Sequence, residues 1–325
     1  MAASHPKFTD LPLNPGHPPR SAWGLYGEDD ERGTLNLLTP ERTKEAAKEI
    51  QTGVSVGLNW PLHMMDYAGG FREATKHEIF EIGKNMNDDR LTLNTQIGSQ
   101  WDGLRHWGFD DGRFYNGLTQ ADIYSKTTSR LGIHAWTKAG IVGRGVLIDY
   151  AAYASRNSIS YDPLGQHAVP LSVVHHIAKE SNIVFQPGDI LLLRTGFTAA
   201  YEAATLSTKK RIMTASPFQY PGIESTESVL RFLWDGRIAA VAGDCPGFEA
   251  WPPTGSEGDE TEGLLKMGMH QTLLAGFGMP IGEMFDLEAL AEECERQKRW
   301  TFFVSSMPLN VVGGVASPPN AVSIF

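Results

Sequence analysis

The sequence predicts an α/β fold built as one domain, and three observations carry that expectation. Short apolar runs of strand length at 145–149, 190–194, 238–242 and 300–304 alternate with helical stretches at 171–181, 223–235 and 286–297. Of 325 residues, 41% are hydrophobic and 20% charged, a globular balance that excludes a wholly disordered chain. Neither an internal repeat nor a linker interrupts the chain, so a single body over 23–325 is expected behind an arm at 1–22.

Each element has a local reason. Pro6, Pro12, Pro15 and Pro18 punctuate the arm, which is therefore expected to be ordered against the body or a neighbour without forming a helix. Thr39-Pro40-Glu41 starts a helix to about Ile50, with a capping hydroxyl, proline at the first helical position and an acid in the first turn; Gly53 lies just past its end. Residues 54–62 read as a strand. So do 91–97, where Leu91, Leu93, Thr95 and Ile97 alternate with Thr92, Asn94 and Gln96, which puts Gln96 and Ile97 on opposite faces. Pro187-Gly188-Asp189 turns the chain into the strand at 190–194, residues 263–275 are expected to be helical, and the tail is rich in glycine and proline. The acidic, turn-rich stretch 247–261 reads as a surface loop near a ligand cleft.

Charge and composition exclude several classes of function. Against 28 Lys and Arg stand 38 Asp and Glu, a net charge of −10, and the longest basic cluster, Lys209-Lys210-Arg211, reads as a solvated helix face. Such a chain is a poor partner for nucleic acid or an anionic membrane. No apolar stretch reaches the roughly 18–20 residues of a membrane helix, and the first twenty residues lack the apolar core of a signal peptide. Two cysteines, Cys245 and Cys294, make no disulfide framework, so a reduced, soluble, cytoplasmic protein is expected. Phosphate-loop, dinucleotide, nucleophile-elbow, C-x-x-C and H-E-x-x-H signatures are all missing from the sequence. Cys245 reads as a buried, inert thiol, the adjacent His175 and His176 as helix surface, and His77 and His134 as structural.

One segment concentrates ligand chemistry. In 96–106, Gln96, Gln100, Asp102 and His106 recur at even intervals past a strand, so an extended chain presents them on one side, with Gly98 and Gly103 letting it bend. Two amide oxygens and a carboxylate suit a hard cation, and an imidazole just beyond could take a proton from a water held there. The same pattern also fits a polar strand end whose amides bond neighbouring backbone.

This segment resembles the motif H-x-G-T-H-x-D-x-x-x-H of the cyclase family of metal-dependent hydrolases, which includes bacterial kynurenine formamidase and isatin hydrolase. Gly98, Asp102 and His106 match it, Ser99 stands for the threonine, and Gln96 and Gln100 stand for the two leading histidines. The likeness spans nearly the whole chain. Trp23-Gly24 with Asp30 to Leu38 resembles the family's opening, Val142 to Asp149 and Gly188 to Gly196 resemble two of its strands, and His270 followed by Glu283 and Leu287 resembles its late segment. The glutamines are similar to those of a branch that includes trans-dienelactone hydrolase-like enzymes.

The resemblance implies a cyclase-like domain over 23–325. Its fold would be α/β, a mixed sheet or small barrel flanked by helices of the swivelling β/β/α type. It implies Gln96, Gln100, Asp102, His270 and Glu283 as ligands of a divalent metal, manganese or zinc, and His106 as general base. Two amides in place of two imidazoles would tilt the site toward an oxygen-preferring ion such as manganese and make a zinc pair unexpected. Trp23 and Trp60, by their place in the family's N-terminal segment, are candidates to touch substrate, with core packing the favoured role for each. The implied function is hydrolysis of a small cyclic or aryl amide, imide, formamide or lactone by a homo-oligomer, a dimer or tetramer. A biosynthetic cyclase or lyase using the same pocket is one alternative. Another is a metal-free binding protein in which Gln96 and Gln100 donate to a ligand carboxylate.

Overall fold

A computed structural model of the chain describes residues 5–65, 72–253 and 268–325. At its centre four strands run parallel: β5 (Ile141–Asp149), β7 (Ile190–Arg194), β9 (Ala240–Gly243) and β10 (Ile281–Glu283). Antiparallel strands extend the sheet on both sides. Beyond β5 lie β11 (Thr301–Ser306), β13 (Ala321–Ile324) and β1 (Ser55–Gly57); beyond β10 lie β4 (Gln100–Asp102) and β12 (Ala316–Ser317). The result is one nine-stranded mixed sheet. Its open side is drawn in where the chain leaving β1 meets the chain leaving β10. There Asn59 bridges to Phe285, and the Asp286 N–H donates to the Leu58 carbonyl at 3.0 Å. The sheet thus curls into a half-barrel, as the mixed α/β expectation required.

The central strands carry apolar runs, Val146–Ile148, Ile190–Leu193 and Ala240–Ala242, because both their faces are covered. Val146, Ile148, Leu191, Leu193, Val241 and Ile281 share one core, while Leu147, Ile190, Leu192, Ala240 and Ala242 share the other. The helices Leu171–Glu180 and Glu227–Asp235 close the first core. In the second of them Val229, Leu230, Leu233 and Trp234 form the buried stripe that helical spacing demands. Thr39 caps the helix Pro40–Ala46 by accepting from the Arg42 N–H, as its sequence predicts. The arm packs on this body: Phe8 is buried in the first core and its N–H donates to Asp235 Oδ1 at 2.7 Å.

Several expectations are corrected. The strand expected at 91–97 ends at Thr92, as the second arm of a solvent-exposed hairpin of β2 (Lys76–Gly83) and β3 (Met86–Thr92). From there the chain turns inward, so Gln96 and Ile97 are both buried instead of lying on opposite faces. The strand expected at 54–62 keeps only β1, and the helix expected at 223–235 starts at Glu227 because Ile223 ends a small strand, Pro221–Ile223. Lys209 is not solvated: it is buried, with its ammonium 4.9 Å from the centre of the Tyr201 ring. The stretch 247–261 is no surface loop in its described part, since Phe248, Glu249 and Ala250 are buried; the rest of it, and the start of the helix expected at 263–275, lie outside the described residues. Among the described residues no helix is long and apolar enough to cross a membrane.

Candidate metal centre

The site grows out of the pairing of β4 with β10. The antiparallel register sets Gln100 opposite Glu283 and Asp102 opposite Ile281, so these four side chains leave one face of the sheet together. On the other face Trp101 lies over Gly282. There a Cβ would stand 2.6 Å from the Ala242 Cβ and 3.0 Å from the Trp101 ring, so close packing of three strands requires glycine. The turn before β4 brings Gln96 back onto Asp102, and Ser99 pins that turn by donating to the Met284 carbonyl at 2.5 Å and accepting from the Trp60 N–H at 2.7 Å.

His270 arrives from the far end of the chain, at the head of a single wide helical segment, Gln271–Phe277, whose leucines sit in the first core. Its Nε2 lies 3.1 Å from Glu283 Oε1 and 3.8 Å from Asp102 Oδ2. Asp102, His270 and Glu283 are all buried, and one potential ligand atom from each falls within 4.8 Å of the others. His106 stands beside them, its Nε2 3.6 Å from the same Asp102 Oδ2. Residues 164 or more positions apart in sequence thus meet at one point.

The donor set fits a divalent cation. Two carboxylates and an imidazole are ordinary ligands for zinc or manganese. Asp102 Oδ2 and Gln100 Oε1 are buried with no hydrogen-bond partner, the condition of atoms built to face an ion. The glutamines point their nitrogens elsewhere. Gln96 Nε2 donates to Asp102 Oδ1 at 2.6 Å, and Gln100 Nε2 to Glu283 Oε2 at 2.7 Å and to Gln96 Oε1 at 2.5 Å. These amide nitrogens donate to the protein's own carboxylates, and that of Gln100 also to the Gln96 amide oxygen.

Burial sets the charges here. It pushes the Glu283 carboxyl up to about 7, with the Asp102 carboxylate adding to the shift. It lowers the His106 imidazole against the pull of Asp102, so this ring is neutral at pH 7 and able to accept a proton. His270 goes the other way: burial opposes its charge, but Glu249 and Glu283 together hold its pKa well above the ordinary value. The Cys245 thiol is buried, pushed far up by burial and by Asp244, and inert as expected.

A cavity of about 450 Å³ opens onto His106, His270 and Glu283, walled by Trp107, Phe218, Tyr220 and Trp251, with Arg72 at its side. Neither Trp23 nor Trp60 is among the described residues that wall it. Trp23 lies in the second core and its indole N–H donates to the Ala275 carbonyl at 2.6 Å, inside the helical segment that follows His270. Trp60 is buried behind the site, its indole N–H on Glu202 Oε1. His77 and His134 are remote structural groups, one paired with Asp89 on the hairpin and the other accepting from the Gly313 N–H, while His175 and His176 lie on exposed helix surface. Sequence reasoning missed Trp107, Phe218, Tyr220 and Trp251, which share no spacing. It also missed Glu249, a lone acid in an irregular stretch.

This is a mixed α/β chain whose β4–β10 strand pair carries a buried carboxylate–imidazole cluster of metal-ligating type beneath an aromatic cavity. A family model described as "Putative cyclase" matches residues 21–250, and the chain belongs to this cyclase family. Asp102 and His106 fall inside the matched stretch, and His270 and Glu283 beyond it. A crystal structure described as that of a novel cyclase is 27% identical, with a TM-score of 0.79 over 94% of this chain and 99% of the other. Isatin hydrolase A from Labrenzia aggregata, bound to benzyl benzoate, shares the fold at 14% identity, with a TM-score of 0.57 over 89% of this chain and 98% of that one. The Ralstonia solanacearum isatin hydrolase A does so at 14% identity and a TM-score of 0.57, over 86% and 94%. No curated protein sequence matches the chain.

Proposed function

We propose that this protein is a metal-dependent hydrolase that opens a C–N or ester bond in a small cyclic or aryl amide, imide, formamide or lactone. The observation that carries the reading is the meeting of Asp102, His270 and Glu283 within 4.8 Å under the aromatic cavity, with His106 beside them. Membership of the cyclase family and the fold shared with isatin hydrolase A support it. Asp102, His270 and Glu283 would hold manganese or zinc, with the unpartnered Gln100 Oε1 and the second lone pair of Gln96 Oε1, which also accepts from Gln100 Nε2, as further oxygen donors. Bound there, such an ion supplies Lewis acidity for a carbonyl and acidity for a water molecule.

The remaining chemistry belongs to the chain itself. His106, kept neutral by burial, accepts the water's proton at Nε2 and returns it to the departing amine or alkoxide. Trp107, Phe218, Tyr220 and Trp251 hold a flat substrate and exclude bulk water. Elemental analysis of protein purified without added metal, together with turnover of amides and lactones in ¹⁸O-water, tests this reading. Stoichiometric manganese or zinc with solvent oxygen in the product is the expected result. Metal with product that contains no solvent oxygen would favour a cyclase or lyase, and protein without metal would leave the hydrolase reading without support.

A further inference from the structure

We propose that Glu249 is a positioning residue that locks the His270 ring, with its proton on Nδ1, so that Nε2 is presented to the metal. This rests on the reading of His270 as a ligand. Four features of the structure converge on this carboxylate. Glu249 is fully buried, and its Oε1 lies 2.7 Å from His270 Nδ1, on the side of the ring away from Glu283. The same oxygen accepts the backbone N–H groups of Met269 at 2.7 Å and His270 at 3.2 Å, so it ties down the chain that carries the ring as well as the ring. Gly268, at φ +75°, makes room for it: a Cβ there would stand 2.5 Å from Glu249 Oε1. Glu249 Oε2, finally, is buried without a hydrogen-bond partner among the described residues, a costly arrangement for a group with a purely structural duty.

The chemistry follows from the two ring nitrogens. Nε2 can bind a cation only through its lone pair, which requires the remaining proton to sit on Nδ1. A carboxylate accepting from Nδ1 enforces that tautomer, orients the ring and raises its basicity. No other described side chain hydrogen-bonds Nδ1.

The test uses the whole protein and reads the ring directly. Long-range ¹H–¹⁵N spectra of the metal-free wild type should show His270 protonated at Nδ1, either as the neutral Nδ1–H tautomer or as the imidazolium. A bare Nδ1 with a proton on Nε2 alone would overturn the proposal, and this measurement requires no variant. Glu249→Gln keeps the shape and one acceptor oxygen. It should leave the far-UV spectrum unchanged while weakening the affinity for manganese or zinc alone by about 10–100-fold. Glu249→Gln with wild-type metal affinity and an unchanged His270 spectrum would also overturn it. A wild type that binds neither metal would defeat the hydrolase reading, while the wild-type ring spectrum would still decide the role of Glu249.

Discussion

Gln100 and Glu283 face each other directly across the β4–β10 ladder, with the Gln100 amide nitrogen 2.7 Å from Glu283 Oε2. By the motif resemblance, glutamine stands here in place of an imidazole, and its N–H groups hold two acids, Glu283 and Asp102, that would otherwise repel one another. An imidazole at this position would offer zinc a stronger ligand atom than an amide oxygen. Gln100→His is expected to tighten zinc binding by on the order of tenfold and to leave manganese binding little changed. Competition titration against a chelator measures both; unchanged zinc affinity would assign Gln100 to holding the carboxylates alone.

Asp102 is shared by every polar partner in the cluster: Gln96 and Gln100 donate to Oδ1, and both imidazoles approach Oδ2. Asp102→Ala is expected to abolish metal retention and turnover together. It should also cost about 1–3 kcal/mol of stability through the amide donors left unpaired in the interior. Metal content after gel filtration and a urea melt read the two effects separately. A variant that retains full metal would remove Asp102 from the ligand set.

His106 is nearer the cavity mouth than His270 and its side chain is 19% exposed against 7%, which suits a group that exchanges protons with substrate. It makes no hydrogen bond on which the cluster depends. His106→Ala should therefore keep the metal while lowering kcat by about 10²–10⁴-fold, the usual scale for a lost acid–base group. An unchanged kcat in single-turnover measurements would assign proton transfer to another residue.

Much of this site could be read from residue order, and the unread part has physical causes. Asp102, His106, His270 and Glu283 carry recognisable types at recognisable places, and the structure gathers all four. Strands β5 and β7 announce themselves because burial on both faces makes Val146–Ile148 and Ile190–Leu193 continuous apolar runs. The hairpin of β2 and β3 does not, because an exposed ribbon has no dry face to impose alternation; Leu91 and Leu93 then extend a false strand into what is a turn. Lys209 is hidden for a different reason, since no local pattern marks its approach to the ring of Tyr201, eight residues earlier. Glu249 was invisible because its contacts with Met269 and His270 reach across 20 and 21 residues, with no periodicity to mark them.

Gly282 is the packing counterpart of the polar cluster, on the reverse of the same strand. A methyl group there would meet Ala242 on β9, Phe285 and the Trp101 ring on β4 at 2.6–3.0 Å, and none of the three has room to withdraw. Gly282→Ala is expected to cost about 1–3 kcal/mol in urea unfolding. It should also weaken metal binding, because pushing β4 from β10 separates Asp102 from Glu283. A stability loss with unchanged metal affinity would show that the two faces of this strand pair are energetically independent.

Trp23 offers the sharpest contrast between place in sequence and place in the fold. It is 5% exposed, packs beside Phe109, and donates its indole N–H to the Ala275 carbonyl at 2.6 Å, so it braces the helical segment that begins just after His270. A substrate-binding role predicts a higher KM on substitution; a bracing role predicts lower stability. Trp23→Phe keeps an aromatic ring and removes the donor, leaving a carbonyl in the interior without that partner. The expected result is a loss of about 1–3 kcal/mol in urea unfolding with KM unchanged. A KM raised several-fold at undiminished stability would put this ring at the cavity after all. Because the bracing acts on the segment behind His270, any change in metal affinity should track the loss of stability and should vanish when both are compared at a temperature well below the melt.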